Sequence, residues 1–332
     1  MDLNMYCHAL PKVELHAHLN GSLSIRTLKK LYELQNPDGL ENLEFKDVNS
    51  LKESFEEFKL AHSLTNSPKA IYIAACDVIQ EFAEENVIYL ELRSTPREVE
   101  GLMTKDEYTE AIIKAIKTCE TKCSIIVKYL VSVDRRHGLQ VAEENIDLAI
   151  ELQKKYPKYV VGLDLSGDPT EGDVFLNLLE KSRDAGLRIA AHCAEVPNEV
   201  EIMDILNFRP ERLGHCVCIH PSLNGSHKLF QRLLELKIPV ELCLSSNVKT
   251  KSVPTYSHHQ FKYLYKVGHP ICICTDDKGV FRTTLSKEFE LVASHFDLKN
   301  TDLKEICKLS VKYSFATDEE KKCLLQIIKN FN

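Results

Sequence analysis

Two histidines one residue apart, His16 and His18, stand in the stretch P-K-V-E-L-H-A-H-L-N-G at residues 11–21. Val13, Leu15 and Ala17 alternate with Glu14, His16 and His18. That is the period-two pattern of a strand, and it sends both imidazoles to the same side. Asn20-Gly21 then turns the chain, which leaves the pair at the strand's C-terminal end. Two imidazoles so placed can share one ion, although the spacing alone fits two ordinary histidines equally well. Further donors lie far downstream, in A-H-C-A-E (191–195), L-G-H-C (213–216) and C-T-D-D (274–277). Three imidazoles and a carboxylate drawn from these stretches suit a divalent transition metal, with zinc the leading candidate.

Such residues need a scaffold that brings distant segments to one level. Strand-like apolar runs occur around Val13 and at 87–94, 125–134, 160–167, 187–195, 212–216, 239–246 and 270–277. Helical patterns fill the gaps: one capped by Ser22 and running to Leu34, then 45–66, one beginning at Ser67-Pro68, then 105–121, 139–155, 173–185, 198–207, 226–236 and 258–266. Eight strands each followed by helix predict a closed (β/α)8 TIM barrel of class α/β. An open doubly wound sheet is the alternative, but the chain has no Gly-x-Gly-x-x-Gly turn to support it. The patterns at 285–296, 302–314 and 318–330 predict additional C-terminal helices, and with no linker or repeat the expectation is a single domain over 1–332. Active sites of such barrels sit at the C-terminal ends of the strands. Those ends carry His16 and His18, Ser94 to Arg97, Asp134, Gly167, His192 and Glu195, His215, Ser245 to Asn247, and Asp276 and Asp277.

The 332 residues are 44% hydrophobic and 27% charged, with a formal charge of −7, which argues against a general nucleic-acid or membrane-surface binder. No apolar run reaches the length of a membrane span, and residues 1–9 lack the basic and apolar regions of a secretory leader. Several of the 12 cysteines (Cys193, Cys243, Cys272, Cys274) lie inside apolar runs, as expected of reduced thiols in the cytosol. The Cys-x-Cys pairs at 216/218 and 272/274 lack the spacing of a zinc ribbon. No interaction motif is present, and a monomer is expected.

The motifs quoted above, with G-L-D-L-S-G-D at 162–168, resemble the adenosine deaminase family in content and order. The likeness spans essentially the whole chain. R-S-T-P-R (93–97), V-D-R-R (133–136), C-L-S-S-N-V-K (243–249) and C-T-D-D-K-G-V-F (274–281) bring it nearest the adenosine deaminase-like branch, whose members are N6-methyl-AMP deaminases. The resemblance implies one Zn²⁺ per subunit on His16, His18, His192 and Asp276, with Glu195 protonating the purine ring nitrogen beside the reacting carbon. It also implies that His215 deprotonates or orients the attacking water. His18, Asn20, His62, Ser94, Thr95, Pro96, Arg97, Asp134, Gly167 and Asp277 are implied substrate contacts. Asp277 would meet the purine's imidazole ring, and the Gly167 backbone would meet the base edge. The implied reaction is N6-methyl-AMP plus water to IMP plus methylamine.

One position bears on the substrate. Ordinary adenosine deaminases usually carry an aspartate at the position of Asn20, near the sugar's 5′ end. A carboxylate about 4 Å from a phosphate charge would cost about 4 kcal/mol at an effective dielectric near 20. A neutral amide removes that repulsion and can donate a hydrogen bond. Arg97 offers a planar fork suited to phosphate. Spacing alone still leaves Arg97 open to a surface salt bridge, Asp134-Arg135-Arg136 to a solvated charge cluster, His62 to a plain helix position and Asn20 to an ordinary turn. Ser245 and Ser246 read as turn residues, and His258, His259 and His269 as without function. The competing activities are deamination of free adenosine, another amidohydrolase chemistry such as adenine deamination or ester hydrolysis, and an inactive metal-binding scaffold. The H-x-E…P-C-x-x-C signature of the cytidine-type zinc deaminases is absent.

Overall fold

Eight parallel strands follow one another in sequence order around one sheet: β1 (Lys12–His18), β2 (Val87–Ser94), β3 (Ile126–Asp134), β4 (Val160–Ser166), β5 (Arg188–Cys193), β6 (Arg212–His215), β7 (Val240–Leu242) and β8 (Ile271–Ile273). The computed structural model describes residues 2–36 and 51–331. The barrel closes just beyond β8, where Asp276 N donates to His16 O (2.8 Å) and His18 N donates to Asp276 O (3.1 Å). Three of the residues singled out for chemistry therefore form the seam itself. Helices cover the outside as the apolar periods require. In Pro68–Glu84, Ser67 caps the start by accepting from Ala70 N, and Ile71, Ala74, Ala75, Val78 and Phe82 are buried. Truncating Phe82 to Ala would cost about 3–5 kcal/mol. The three C-terminal helices are Leu285–Phe296, Asn300–Tyr313 and Asp318–Asn330.

The structure corrects several local readings. The 239–246 run is strand only over Val240–Leu242; the chain turns at Cys243 into the helix Leu244–Lys249. That early exit carries Ser246 and Asn247 to the neighbouring strand ends, so Ser245 and Ser246 are helical rather than turn residues. The helix after β1 starts at Ile25 with Ser24 as its cap, because residues Asn20–Ser22 are wound into a 3-10 turn that buries Ser22. The 258–266 pattern divides into a 3-10 turn, Tyr256–His258, and a helix, Phe261–Lys266. The start of the 45–66 pattern lies outside the described residues, and helix is described over Leu51–Leu64. A short helix, Leu3–Ala9, was not foreseen, since seven residues are too few to show a period. Buried Lys12 satisfies the end of that segment, its Nζ donating to Cys7 O and Leu10 O at 2.7 and 2.9 Å.

Beneath the strand ends, the barrel interior is not the usual stack of aliphatic residues. Glu91 and Arg93 (β2), Asp164 (β4), Arg212 (β6) and Glu241 (β7) are all fully buried. Arg93 Nη1 meets Asp164 Oδ1 at 2.8 Å and Arg93 Nη2 meets Glu241 Oε2 at 3.1 Å. Arg212 Nε meets Glu241 Oε1 at 2.6 Å, and its Nη2 pairs with Glu91. An unpaired ion here would cost several kcal/mol, so the charges persist only as a mutually satisfied set. Burial by itself would raise Glu241, but Arg93 and Arg212 hold it well below the usual carboxylate range. Among the described residues, no helix is long and apolar enough to cross a membrane.

Candidate active site

Four donor atoms meet at the barrel seam. His18 Nε2 lies 3.3 Å from both His16 Nε2 and His192 Nε2. Asp276 Oδ1 lies 3.3 Å from His16 Nε2 and 3.4 Å from His18 Nε2. Donor atoms bound about 2 Å from one first-row metal ion in a tetrahedral site stand a little over 3 Å apart, as these four separations do. Their partners turn the lone pairs inward. His16 Nδ1 is 2.6 Å from Glu241 Oε2, and His192 Nδ1 is 2.8 Å from Leu165 O. Both Nδ1 atoms therefore carry the proton, leaving each Nε2 bare for the ion. Ser246 Oγ donates to Asp276 Oδ2 at 2.7 Å, which leaves Oδ1 for the centre. Burial lowers His18 to about 3, so its ring is neutral. The residues fit a metal ion.

Two wider groupings overlap this one: His16, His192, His215 and Asp276, and His18, Asp164 and His192. Asp164 is already committed to Arg93 and to His192 Nδ1, 3.2 Å away. His215 Nε2 lies 3.8 Å from both Asp276 Oδ2 and Glu195 Oε2, beside the donors rather than among the closest four. Burial raises the Glu195 carboxyl, favouring a protonated acid, and depresses His215 well below the usual imidazole value. Asp277 Oδ1 is buried with no hydrogen-bond partner among the described residues. It fits only because residue 21 is glycine, where a Cβ would stand 1.7 Å from that oxygen. Backbone strain concentrates here: Ala194, His215 and Asp276 adopt φ of 55°, 62° and 62°, in the left-handed region that side chains disfavour.

The family profile described as adenosine deaminase matches residues 11–331. The chain belongs to the adenosine deaminase family. It is thus a deaminase, a hydrolase acting on C–N bonds. It is 43% identical over 332 residues to the N6-methyl-AMP deaminase of Danio rerio, covering 97% of this chain and 95% of that one. The N6-methyl-AMP deaminase of Homo sapiens is 44% identical over 318 residues, covering 93% and 90%. The crystal structure of Arabidopsis ADAL complexed with IMP superposes with a TM-score of 0.88 at 37% identity, covering 98% of this chain and 97% of that one.

Further residues of the family's implied substrate set gather at the rim. Arg97 Nη2 donates to His62 O (2.7 Å), Thr65 O (2.5 Å) and Thr65 Oγ1 (2.8 Å), at the end of the helix Leu51–Leu64. Thr65 Oγ1 in turn lies 3.4 Å from Asn20 Oδ1. Asn20, His62 and Arg97 are thus neighbours despite their separation in sequence. His62 itself is exposed to solvent. Asp134 caps its own turn and is gripped by Arg136, with Nε to Oδ1 at 2.9 Å. Gly167, at φ 103°, packs against Asp134, where a Cβ would lie 2.2 Å from Oδ1. Ser94 Oγ pairs with Tyr129 OH at 3.1 Å. Thr95 is half-buried and Pro96 buried, and among the described residues the Thr95 hydroxyl makes no hydrogen bond.

Reading the sequence missed Arg93, Asp164 and Glu241 behind the donors, and it placed Ser246 and Asn247 at a strand end without giving them a role. A signal existed for two of them, a carboxylate inside an otherwise apolar strand (L-D-L at 163–165, V-E-L at 240–242). Tyr108, which lies beside Ser94, Asn20 and Arg97, gave none, being one more aromatic on a helix.

Proposed function

We propose that the protein is a zinc-dependent hydrolytic deaminase that converts N6-methyl-AMP and water to IMP and methylamine. The convergence of His16, His18, His192 and Asp276 beside Glu195 is the observation that carries this reading. The similarity to N6-methyl-AMP deaminases of Danio rerio and Homo sapiens and to Arabidopsis ADAL complexed with IMP supports it. Zinc on these four residues would supply a water acidified to a pKa of about 7. The protein groups do the rest. Glu195, whose carboxyl is raised above its ordinary value by burial, delivers its proton to the ring nitrogen next to C6, making that carbon more electrophilic. Asp277 Oδ1 and the Gly167 N–H hold the base edge, and His215 holds the attacking oxygen in place. Oxygen adds to C6, the C6–N bond breaks, and methylamine leaves with a proton.

Asn20, His62, Ser94 to Arg97 and Asp134 are assigned to the nucleotide's sugar and phosphate. The 12 free thiols suit a reducing cytosol, where we place the enzyme as a single-domain monomer. A deaminase of free adenosine is the second reading, favoured by one observation: Arg97 Nη2 is already engaged by three oxygens. Steady-state turnover of N6-methyl-AMP, AMP and adenosine by the zinc-loaded protein separates the two. Highest kcat/KM for N6-methyl-AMP is expected, and preference for adenosine would overturn the phosphate assignment.

A further inference from the structure

A buried chain of hydrogen bonds leads from a backbone amide to the ring of His215. It begins at Phe261 N, which can only donate, and which lies 3.1 Å from His259 Nδ1. His259 Nδ1 is therefore an acceptor, and in a neutral imidazole the proton must sit on Nε2. Burial lowers His259 to about 3, so the ring is neutral. His259 Nε2 lies 2.9 Å from Asn247 Oδ1, and Asn247 Nδ2 lies 3.2 Å from His215 Nδ1.

The amide of Asn247 has a second, independent anchor. Gln260 Nε2 lies 2.8 Å from His215 O, a carbonyl that can only accept, so that Gln260 atom is the nitrogen. The same nitrogen lies 2.9 Å from Asn247 Oδ1. Among the described residues Gln260 Oε1 is left without a partner, yet inverting the amide would set oxygen against oxygen at both contacts. Two fixed donors thus face Asn247 Oδ1, and its Nδ2 must face His215. His215 Nδ1 is then an acceptor, and its proton resides on Nε2, the atom that looks toward Glu195 and Asp276.

We propose that His259 and Asn247 are positioning residues that lock His215 into the Nε2–H tautomer. The inference rests on the deaminase reading for its consequence but not for its geometry. An imidazole that presents N–H to the site cannot ligate the metal, so His215 stands outside the ligand set although it lies close to it. Nor can it take the first proton from water. It donates to the attacking oxygen, holding it in place and stabilising the negative charge that oxygen carries once the water has lost a proton and before C6 is attacked. His259, read from sequence as without function, sets this direction from the far end of the chain.

The test is a long-range ¹H–¹⁵N correlation spectrum of the ¹⁵N-histidine-labelled, zinc-loaded protein, which distinguishes protonated, bare and metal-bound ring nitrogens. His215→Gln and His259→Gln serve only to assign the two rings. The expected wild-type result is protonated Nε2 and bare Nδ1 for both. A protonated Nδ1 or a metal-bound nitrogen on His215 would overturn the proposal. In Asn247→Asp the carboxylate can only accept, so His215 is expected to move its proton to Nδ1. For that variant kcat is expected to fall on the order of 10²-fold with KM within about twofold and zinc content unchanged; unchanged kcat would refute the positioning role. Should Asn247→Asp fail to fold, the wild-type spectrum still decides. Because the spectrum involves no turnover, the predicted tautomer in a protein inactive on N6-methyl-AMP would refute the substrate reading alone.

Discussion

Where His16, His18, His192 and Asp276 meet, three of the four donors are held from behind by buried partners: Glu241, Leu165 O and Ser246. Around Arg97 and His62, the contacts run instead to carbonyls at the end of a helix and to the hydroxyl of buried Thr65. The first region is the floor of the mouth, made of strand ends over a fully paired ionic core. The second is its rim, assembled from a helix terminus and turns. The contrast separates two tasks. Metal-assisted hydrolysis needs donors fixed to a few tenths of an ångström, whereas recognising a phosphate needs charge and reach.

Substitutions on the floor should therefore cost far more than those on the rim. Glu195→Gln is expected to keep its zinc and lose on the order of 10²–10⁴ in kcat on every substrate; near-normal turnover would remove Glu195 from the proton-donor role. Glu241→Gln should weaken zinc binding about 10–100-fold, read by chelator competition, because a neutral amide leaves one oxygen to be shared among His16, Arg93 and Arg212. Stripping the metal should lower Tm and raise amide exchange where the seam closes, at His18 and Asp276, while the helix Leu51–Leu64 changes little. Equal loosening at both places would erase the distinction.

On the rim, Arg97→Ala should lower kcat/KM about tenfold for N6-methyl-AMP and much less for N6-methyladenosine. Equal losses would make Arg97 a structural cap of the helix end. The smallest effect concerns Lys278, whose Nζ grips Glu81 Oε2 at 2.5 Å and ties the segment after Asp277 to the helix Pro68–Glu84. Burial alone would raise Glu81, but Lys278 and Ser24 draw it below its ordinary 4.5. A depressed carboxylate stabilises the fold above its unfolded pKa and loses that contribution as pH falls through the folded value. Thermal melts from pH 6 to 3 should accordingly show a shallower acid loss for Glu81→Gln than for the wild type.

The same division explains how much could be read in advance. The barrel was legible because eight apolar runs alternate with amphipathic helices, and 87–94 was placed to the residue. That His16, His18, His192, His215 and Asp276 come together was legible because strand ends share one level, whereas the choice of four of these five as ligands came from the family resemblance. The carboxylates and arginine behind them were not, because a buried Glu241 or Arg93 makes sense only once its partner on another strand is known. Asn247 and His259 escaped for the same reason: a hydrogen-bond direction is a property of the assembled chain, not of S-S-N or H-H-Q. At the rim, Arg97 was named as a phosphate fork, but nothing local announced that Thr65 and His62 O would engage it first.

The most direct measurement is anomalous diffraction at the zinc edge on crystals of the metal-loaded protein. One zinc peak is expected about 2 Å from Nε2 of His16, His18 and His192 and from Asp276 Oδ1, with His215 Nε2 outside bonding distance. A peak bonded to His215 or Asp164, or no zinc at the seam, would contradict it.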